Sequence, residues 1–435
     1  MPSYLLVKTI SEQWYQRAVK VIPGGVTRGF RFFDPYPFYG KKAYGSKLVD
    51  LENRVYTDYW QAHGALVLGH MHPAIVKAVK EQLELGFHWG VCNEWEVKLA
   101  EQVTKLVPSV KMITFNNSGT EADMYAMKLA RAYTKRNKIG KFEGHYHGNS
   151  EALYVATSWP PGGPDSAGHD PLSAKNTVVL PFHDADAAYR AIKKKQMACL
   201  IMELVTGGDT IPEEKEFVKG LREVCDDTDT LLIFDEVITG FRLAPGGGQE
   251  AFGVIPDLTT FGKAIGGGEF PVGAVGGRTE IMELMSSQKH PKKSECVAQG
   301  GTYSGNPLVM RAGYEATKIY EERKLYAHID ELGAKLKKGL EEVVKDTGAN
   351  ARVTGYGSKV KIHLLKRGAK ITDLKSLLLN DDSATEKRYF QHLISNGIFA
   401  LTQSRVHFYI SLPHTEQEVD KLISTTEDFL RSKPK

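Results

Sequence analysis

The sequence predicts an α/β protein: a large domain on a mostly parallel central sheet flanked by helices, and a small α+β domain made from the two ends of the chain. Three observations point this way. Short, wholly apolar runs such as Cys199-Leu200-Ile201-Met202 and Leu231-Leu232-Ile233-Phe234 alternate with helical patterns through the middle of the chain. A strand that is apolar at every position is buried on both faces, as in a parallel sheet covered by helices. The texture then changes after about residue 324 to charged amphipathic helices and isolated strands, and the 435 residues exceed one ordinary core. The expected organisation is an N-terminal segment over 1–60 that joins the small domain, a large domain over 61–324, and a C-terminal small domain over 325–435.

In order along the chain, Ser11 is a cap for a helix over 11–22, stopped by Pro23-Gly24-Gly25. Strands over 47–50 and 54–59 read as a hairpin turned at Glu52-Asn53. Pro73 opens a helix over 73–85, and another covers 94–106. Residues 112–115 are strand-like. Ala122, Tyr125, Ala126, Leu129, Ala130 and Tyr133 recur at helical spacing over 121–133. Buried strands follow at 199–202, 231–234, 258–261 and 272–275, with a helix over 217–225. A helix runs from Pro307 to about 323 and an amphipathic one over 325–344. Strands are expected at 359–364 and 406–410, and a closing helix over 415–430. The Pro/Gly-rich stretch 159–173 is a loop long enough to serve as a lid.

Composition excludes several classes of function. Apolar residues are 42% and charged residues 25%, with 56 basic against 52 acidic side chains and a net charge of +4. No polybasic arm appears, so nucleic acid is not an expected partner; Lys193-Lys194-Lys195 and Lys292-Lys293 read as solvated surface. The four cysteines are widely and irregularly spaced without a CxxC pair, which argues against a zinc ribbon and for a reducing, cytoplasmic setting. The apolar patch in residues 1–10 lacks a signal-peptide plan, and no run approaches the about 18 apolar residues of a membrane span.

Chemistry in open α/β sheets gathers at the carboxyl ends of strands, and four groups lie there. Asn117-Ser118-Gly119-Thr120 stands between a strand and a helix, where free amides cradle an anion or a hydroxyl simply caps the helix. Asp235-Glu236 follows a buried strand, so each carboxylate is a site residue, a cap or half of a salt bridge. Lys263, in Gly262-Lys263-Ala264-Ile265-Gly266-Gly267-Gly268, is either a surface lysine or one that loses its charge on burial and forms a Schiff base. Glu143-Gly144-His145-Tyr146-His147-Gly148 offers an aromatic face, and its two histidines lack the further ligands a metal needs. An amine, an acid, an anion cradle and an aromatic face, in this order, suit pyridoxal phosphate: its aldehyde needs the amine, its ring nitrogen the acid, its phosphate the cradle.

These stretches, with Phe234-Asp235-Glu236-Val237-Ile238-Thr239-Gly240-Phe241-Arg242, Leu68-Gly69-His70-Met71-His72-Pro73 and Gly301-Thr302-Tyr303-Ser304-Gly305-Asn306-Pro307, resemble class III aminotransferases of fold type I, in the glutamate-1-semialdehyde aminomutase branch. The resemblance runs nearly the whole length. It implies pyridoxal 5′-phosphate as cofactor, with Lys263 bonded to its aldehyde and carrying the proton, and Asp235 on the pyridine nitrogen. Val237 packs under the ring and Tyr146 on its other face. Ser118, Gly119 and Thr120 hold the phosphate, helped by Thr302 of the other subunit, and Glu203 belongs to the cofactor-binding set. A homodimer with a shared active site follows, acting on a small-molecule amino donor and a keto acid acceptor.

Departures from the aminomutase pattern bear on the substrate. Where that pattern has Glu-Pro-Val-Ala-Gly-Asn, the chain has Glu203-Leu204-Val205-Thr206-Gly207-Gly208, and Val406 replaces a glutamate. Pro23-Gly24-Gly25-Val26-Thr27-Arg28, Pro35-Tyr36-Pro37 and Arg405 ahead of Ser411-Leu412-Pro413 are instead similar to β-amino-acid (β-phenylalanine-type) aminotransferases, in which arginines at the positions of Arg28 and Arg405 hold the substrate carboxylate. Arg31 sits where the aminomutase keeps its own carboxylate-binding arginine. The expected activity is transfer of an amino group from a β- or related amino acid to a keto acid such as 2-oxoglutarate or pyruvate; the alternative is glutamate-1-semialdehyde 2,1-aminomutase. Phe30, Phe32, Phe33 and Tyr36 line an aromatic pocket or belong to an interface core.

Overall fold

A computed structural model describes residues 8–161, 165–400, 403 and 405–432. Most of the residues 1–10 read for a leader, and 162–164 of the lid stretch, lie outside the described residues. After a first helix come three strands: β1 (Gly40–Tyr44), β2 (Lys47–Asp50) and β3 (Val55–Asp58). The pairing of β2 with β3 is the expected hairpin, and Asn53 in its turn takes φ +64°. The first helix departs from expectation. It spans Ile10–Ala18 and is capped by Thr9, whose side chain accepts from Glu12 N–H. Ser11 is inside it, and its hydroxyl donates to Glu52 at 2.7 Å, tying the helix to the hairpin.

The central sheet comprises β4 (Met112–Asn116), β5 (Ile139–Phe142), β6 (Thr177–Leu180), β7 (Cys199–Met202), β8 (Leu231–Asp235), β9 (Leu258–Gly262) and β10 (Gly273–Gly277). Their order is β4-β10-β9-β8-β7-β5-β6. Only β10 runs against the rest, antiparallel to both β4 and β9. Strands β7, β8 and β9 are buried at every position, which is why their sequences do not alternate. The glycines of β10 permit its close approach: a Cβ on Gly273 would stand 2.0 Å from the Ser118 carbonyl oxygen. That contact presses β10 against the start of helix Gly119–Thr134, where the site forms.

Beyond helices Pro307–Tyr320 and Arg323–Thr347 come β11 (Ala351–Tyr356), β12 (Lys359–Leu364), β13 (Ile398–Phe399) and β14 (His407–Tyr409). Strands β11, β12 and β14 form an antiparallel sheet with β12 in the middle. Strand β13 instead pairs in parallel with β3, Ile398 opposite Thr57, so the start and end of the chain share one sheet. Strands β6, β11 and β13 and helices Ala185–Lys195 and Ser383–Ser395 were not anticipated. The patterns there are short or broken by charge, as in Lys193-Lys194-Lys195 at the end of its helix.

Candidate active site

The carboxyl ends of β4, β5, β7, β8 and β9 meet at one place. Lys263 directly follows β9 and takes φ +50°, in the left-handed region that costs a side-chain-bearing residue about 1–3 kcal/mol. Such strain is held only where the surroundings over-determine the backbone. Burial of its surroundings pushes the Lys263 ammonium down to about 8, against Asp235 and Glu203, which pull it up. A depressed ammonium supplies neutral amine near neutral pH, which is what attack on an aldehyde needs.

Asp235 ends β8 and Glu236 begins the turn beyond it, and the structure separates their roles. Glu236 accepts from Thr239 Oγ1 at 3.0 Å, from Gln249 N and Nε2 at 3.0 Å each, and from Gly248 N–H. It fastens the start of helix Gly247–Phe252. Asp235 keeps one oxygen on Val237 N–H at 3.0 Å and the other 2.7 Å from His147 Nδ1. Burial raises its carboxyl to about 6, opposed by the Val237 amide, Lys263 and His145. Burial pushes His147 well below its ordinary value, so the imidazole is neutral and donates Nδ1–H to the carboxylate.

Ser118 accepts from Glu121 N–H at 3.2 Å, so its hydroxyl caps helix Gly119–Thr134. This cap coexists with the positive helix end at Gly119 and Thr120. Glycines keep the space around it: a Cβ on Gly119 would lie 2.8 Å from Val237 Cγ2, and one on Gly148 2.4 Å from Thr120 Oγ1. Val237 thus packs between the helix start and Gly262, whose added Cβ would be 3.1 Å from Val237 Cγ1. Glu203, buried after β7, accepts Tyr146 N–H at 2.9 Å and donates its own N–H to His145 Nδ1 at 3.1 Å. The Tyr146 ring remains 41% exposed, its hydroxyl donating to Asn149 Oδ1 at 2.8 Å. His145 also faces Glu213 at 3.3 Å, so both histidines of the His-Tyr-His stretch are engaged by carboxyl groups.

The three arginines are placed differently. Arg28 is exposed above the Phe30 ring at 5.2 Å, and its charge acts on Lys263, Tyr146 and His63. Arg405 lies over the turn after β7: a Cβ on Gly208 would stand 3.3 Å from its Nη1. Arg31 is exposed in the turn Gly29–Arg31 and makes no ion pair among the described residues. Of the aromatic group, Phe33 is core, packed on Phe38 and Phe390, while Phe30 is exposed. Thr302 is exposed on the single chain.

A model of the class-III aminotransferases matches residues 33–430. The chain belongs to that family. A glutamate-1-semialdehyde 2,1-aminomutase from Archaeoglobus fulgidus is 39% identical over 424 residues, covering 97% of this chain and 99% of that one. Among solved structures, an ω-transaminase from Sphaerobacter thermophilus superposes with a TM-score of 0.90 at 34% identity, covering 98% of each chain. A transaminase with PLP bound matches at 0.87 and 28%, covering 97% of this chain and 98% of that one. A β-phenylalanine aminotransferase from Variovorax paradoxus matches at 0.86 and 30%, covering 97% and 93%.

In this class-III aminotransferase the site also contains residues that the sequence did not single out. Asp123, on the buried face of helix Gly119–Thr134, accepts from Thr260 Oγ1 at 2.6 Å and is raised well above the carboxylate range by burial and by Asp235. Its position one residue from Ala122 and three from Ala126, on an apolar helix face, was the available signal. His63 is half-buried in a run of left-handed residues from Gln61 to Gly64, and desolvation with Lys263 nearby holds it neutral. Arg242 is fully buried and makes no ion pair among the described residues, donating instead to the carbonyls of Gly64 and Ile410 and to Ser358. It joins three segments around the site. The chemistry present fits pyridoxal phosphate: a depressed lysine, an ionisable buried acid, and a helix start kept open by glycines.

Proposed function

We propose that this class-III aminotransferase moves an amino group from a β-amino acid to a keto acid, with Arg28 and Arg405 holding the donor carboxylate. The observation that carries the reading is Arg405 over Gly208. An asparagine at 208, as in the aminomutase pattern, would bring its Cβ to 3.3 Å from the guanidinium. The missing side chain and the added arginine therefore complement one another in space. A β-amino acid sets its carboxylate one carbon farther from the amine, so the guanidinium that receives it must stand farther from the lysine.

Pyridoxal phosphate is the cofactor, and when bound it supplies an electron sink for the carbanion left at the substrate carbon. The amides of Gly119 and Thr120 receive its phosphate at the helix end. Asp235, ionised above about 6, holds the ring nitrogen, and His147 orients that carboxylate through its Nδ1–H. Val237 and Tyr146 flank the ring. Lys263 Nζ takes the proton from the substrate carbon and returns it. Thr302 reaches the phosphate of a second copy, so the enzyme is a homodimer; exposure of Val97, Met112 and Tyr303 on the single chain supports a covering partner. All four cysteines are free, consistent with a cytoplasmic enzyme, and no described helix is long and apolar enough to cross a membrane.

A second reading, glutamate-1-semialdehyde 2,1-aminomutase with Arg31 on the carboxylate, rests on the curated relatives. Those at 38–40% identity over nearly the whole chain carry that name, and they support the isomerase more strongly than they support β-amino-acid transfer. The need for a second substrate separates the two. A β-amino acid is supplied with and without 2-oxoglutarate or pyruvate, glutamate-1-semialdehyde is supplied without either, and the cofactor spectrum and products are followed. Turnover only with a keto acid supports transfer; isomerisation of glutamate-1-semialdehyde without an acceptor replaces it with the aminomutase.

A further inference from the structure

Strand β12 is buried at all six positions, yet its alternate residues Lys359, Lys361 and His363 share one face. That face meets the turn carrying Gly208. Lys359 Nζ donates to the Gly207 carbonyl at 2.9 Å and to that of Thr206 at 2.5 Å. Lys361, with no exposed side chain, lies 3.4 Å from Asp209, 3.2 Å from Asp381 and 3.7 Å from Glu386. His363 takes the other side of Asp381 at 3.0 Å. Asp209 is next in sequence to the glycine under Arg405, and burial alone would raise its carboxyl; Lys361, Arg405 and His363 bring it down to about 2. Asp209 is therefore a full negative charge within the influence of Arg405. Even so, Arg405 makes no ion pair among the described residues, because Asp209 is turned to Lys361.

We propose that Lys361 is a specificity-determining positioning residue: by engaging Asp209 it leaves the Arg405 guanidinium free for the substrate carboxylate. A buried acid with no partner of its own draws the nearest cation. Without Lys361 that cation is Arg405, which lies against Gly208, the residue before Asp209. The arginine then closes onto Asp209 and is lost to the substrate. Lys359 holds the backbone of the same turn and so fixes where Arg405 meets it. The inference rests on the reading of Arg405 given above.

The test uses the full-length, cofactor-loaded enzyme with two amino donors, a β-amino acid and an aromatic primary amine that has no carboxylate. Arg405→Ala should raise KM for the β-amino acid only. Lys361→Met should do the same, by roughly tenfold or more, the size of one lost charge-assisted contact, with kcat for the amine unchanged. Adding Asp209→Asn to Lys361→Met should restore KM, because the competing charge is gone. Should Arg405→Ala leave KM unchanged, the carboxylate reading fails and this inference with it. If Arg405→Ala raises KM while Lys361→Met does not, or Lys361→Met impairs both donors alike, the inference alone is overturned. Where Lys361→Met does not fold, the Lys361→Met/Asp209→Asn double variant decides: near-native KM for the β-amino acid supports the inference, and a raised KM overturns it.

Discussion

Nδ1 of His147 stands 2.7 Å from Oδ2 of Asp235, joining a residue after β5 to the last residue of β8. The neutral imidazole leaves Asp235 as the charged member of the pair. Asp235→Asn keeps the shape and removes the charge. Cofactor binding should persist while turnover falls by several orders of magnitude, since stranding a buried ion costs about 3–5 kcal/mol. Titration with pyridoxal phosphate and steady-state kinetics on the variant check this; near-native turnover would assign the ring nitrogen to another group.

Lys263 is the predicted point of cofactor attachment. Borohydride reduction and peptide mapping should find the modified lysine at 263, and Lys263→Ala should carry no covalent cofactor. Its ammonium is held down to about 8, and only the neutral amine attacks an aldehyde. Capture of the cofactor by cofactor-free protein should therefore accelerate as pH rises through about 8 and level off above it. Stopped-flow absorbance from pH 6 to 10 reads the midpoint; continued acceleration toward pH 10.5 would show an unperturbed lysine.

Arg28→Ala and Arg405→Ala should each raise KM for a β-amino acid by about one to two powers of ten, the loss of one charge-assisted contact. Cofactor affinity should stay nearly the same, because neither side chain hydrogen-bonds to a candidate cofactor residue among the described residues. Arg31→Ala serves as the counterpart, and a larger effect there than at Arg405 favours the aminomutase.

Gly208→Asn should act on Arg405 without altering any charge. Its Cβ would sit 3.3 Å from Nη1, closer than most such contacts, and its amide would fill the space of the guanidinium. KM for the β-amino acid should rise toward that of Arg405→Ala, and the double variant should be little worse than either alone. Additive losses in that double-mutant cycle would separate the two positions.

Glu386 provides a stability test. Burial raises its carboxyl to about 8, against Lys361, from the 4.5 of an exposed glutamate. A carboxyl raised on folding stabilises most below its unfolded value and loses that contribution as pH climbs through the folded one. Glu386→Gln should therefore raise the melting temperature more at pH 8 than at pH 5. Thermal melts at the two pH values decide it; equal shifts would mean that Glu386 does not titrate in this window.

The central sheet and the candidate cofactor residues were legible because their signals are local. A wholly apolar strand followed by an acid or a glycine-lysine turn marks a strand end, and in a parallel sheet those ends converge. Hence Asp235, Lys263 and Ser118-Gly119-Thr120 could be singled out without a structure. Position after the strand alone did not tell Glu236 from Asp235; the resemblance named Asp235, and the structure shows Glu236 fastening the start of helix Gly247–Phe252. Strand β12 was expected from the sequence, but the burial of Lys359 and Lys361 on one of its faces was not.

By itself the sequence determined the fold class and the family and singled out Lys263 as a candidate, because these depend on hydrophobic period and on short motifs whose residues are neighbours in the chain. Only the tertiary structure decided which charges face one another. His147 and Asp235 are 88 positions apart, and Asp209 and Lys361 are 152 apart. Electrostatic interactions fall off with distance in space and take no account of distance along the chain. Whether Arg405 is available to a substrate therefore depends on a strand from one part of the chain lying against a turn from another.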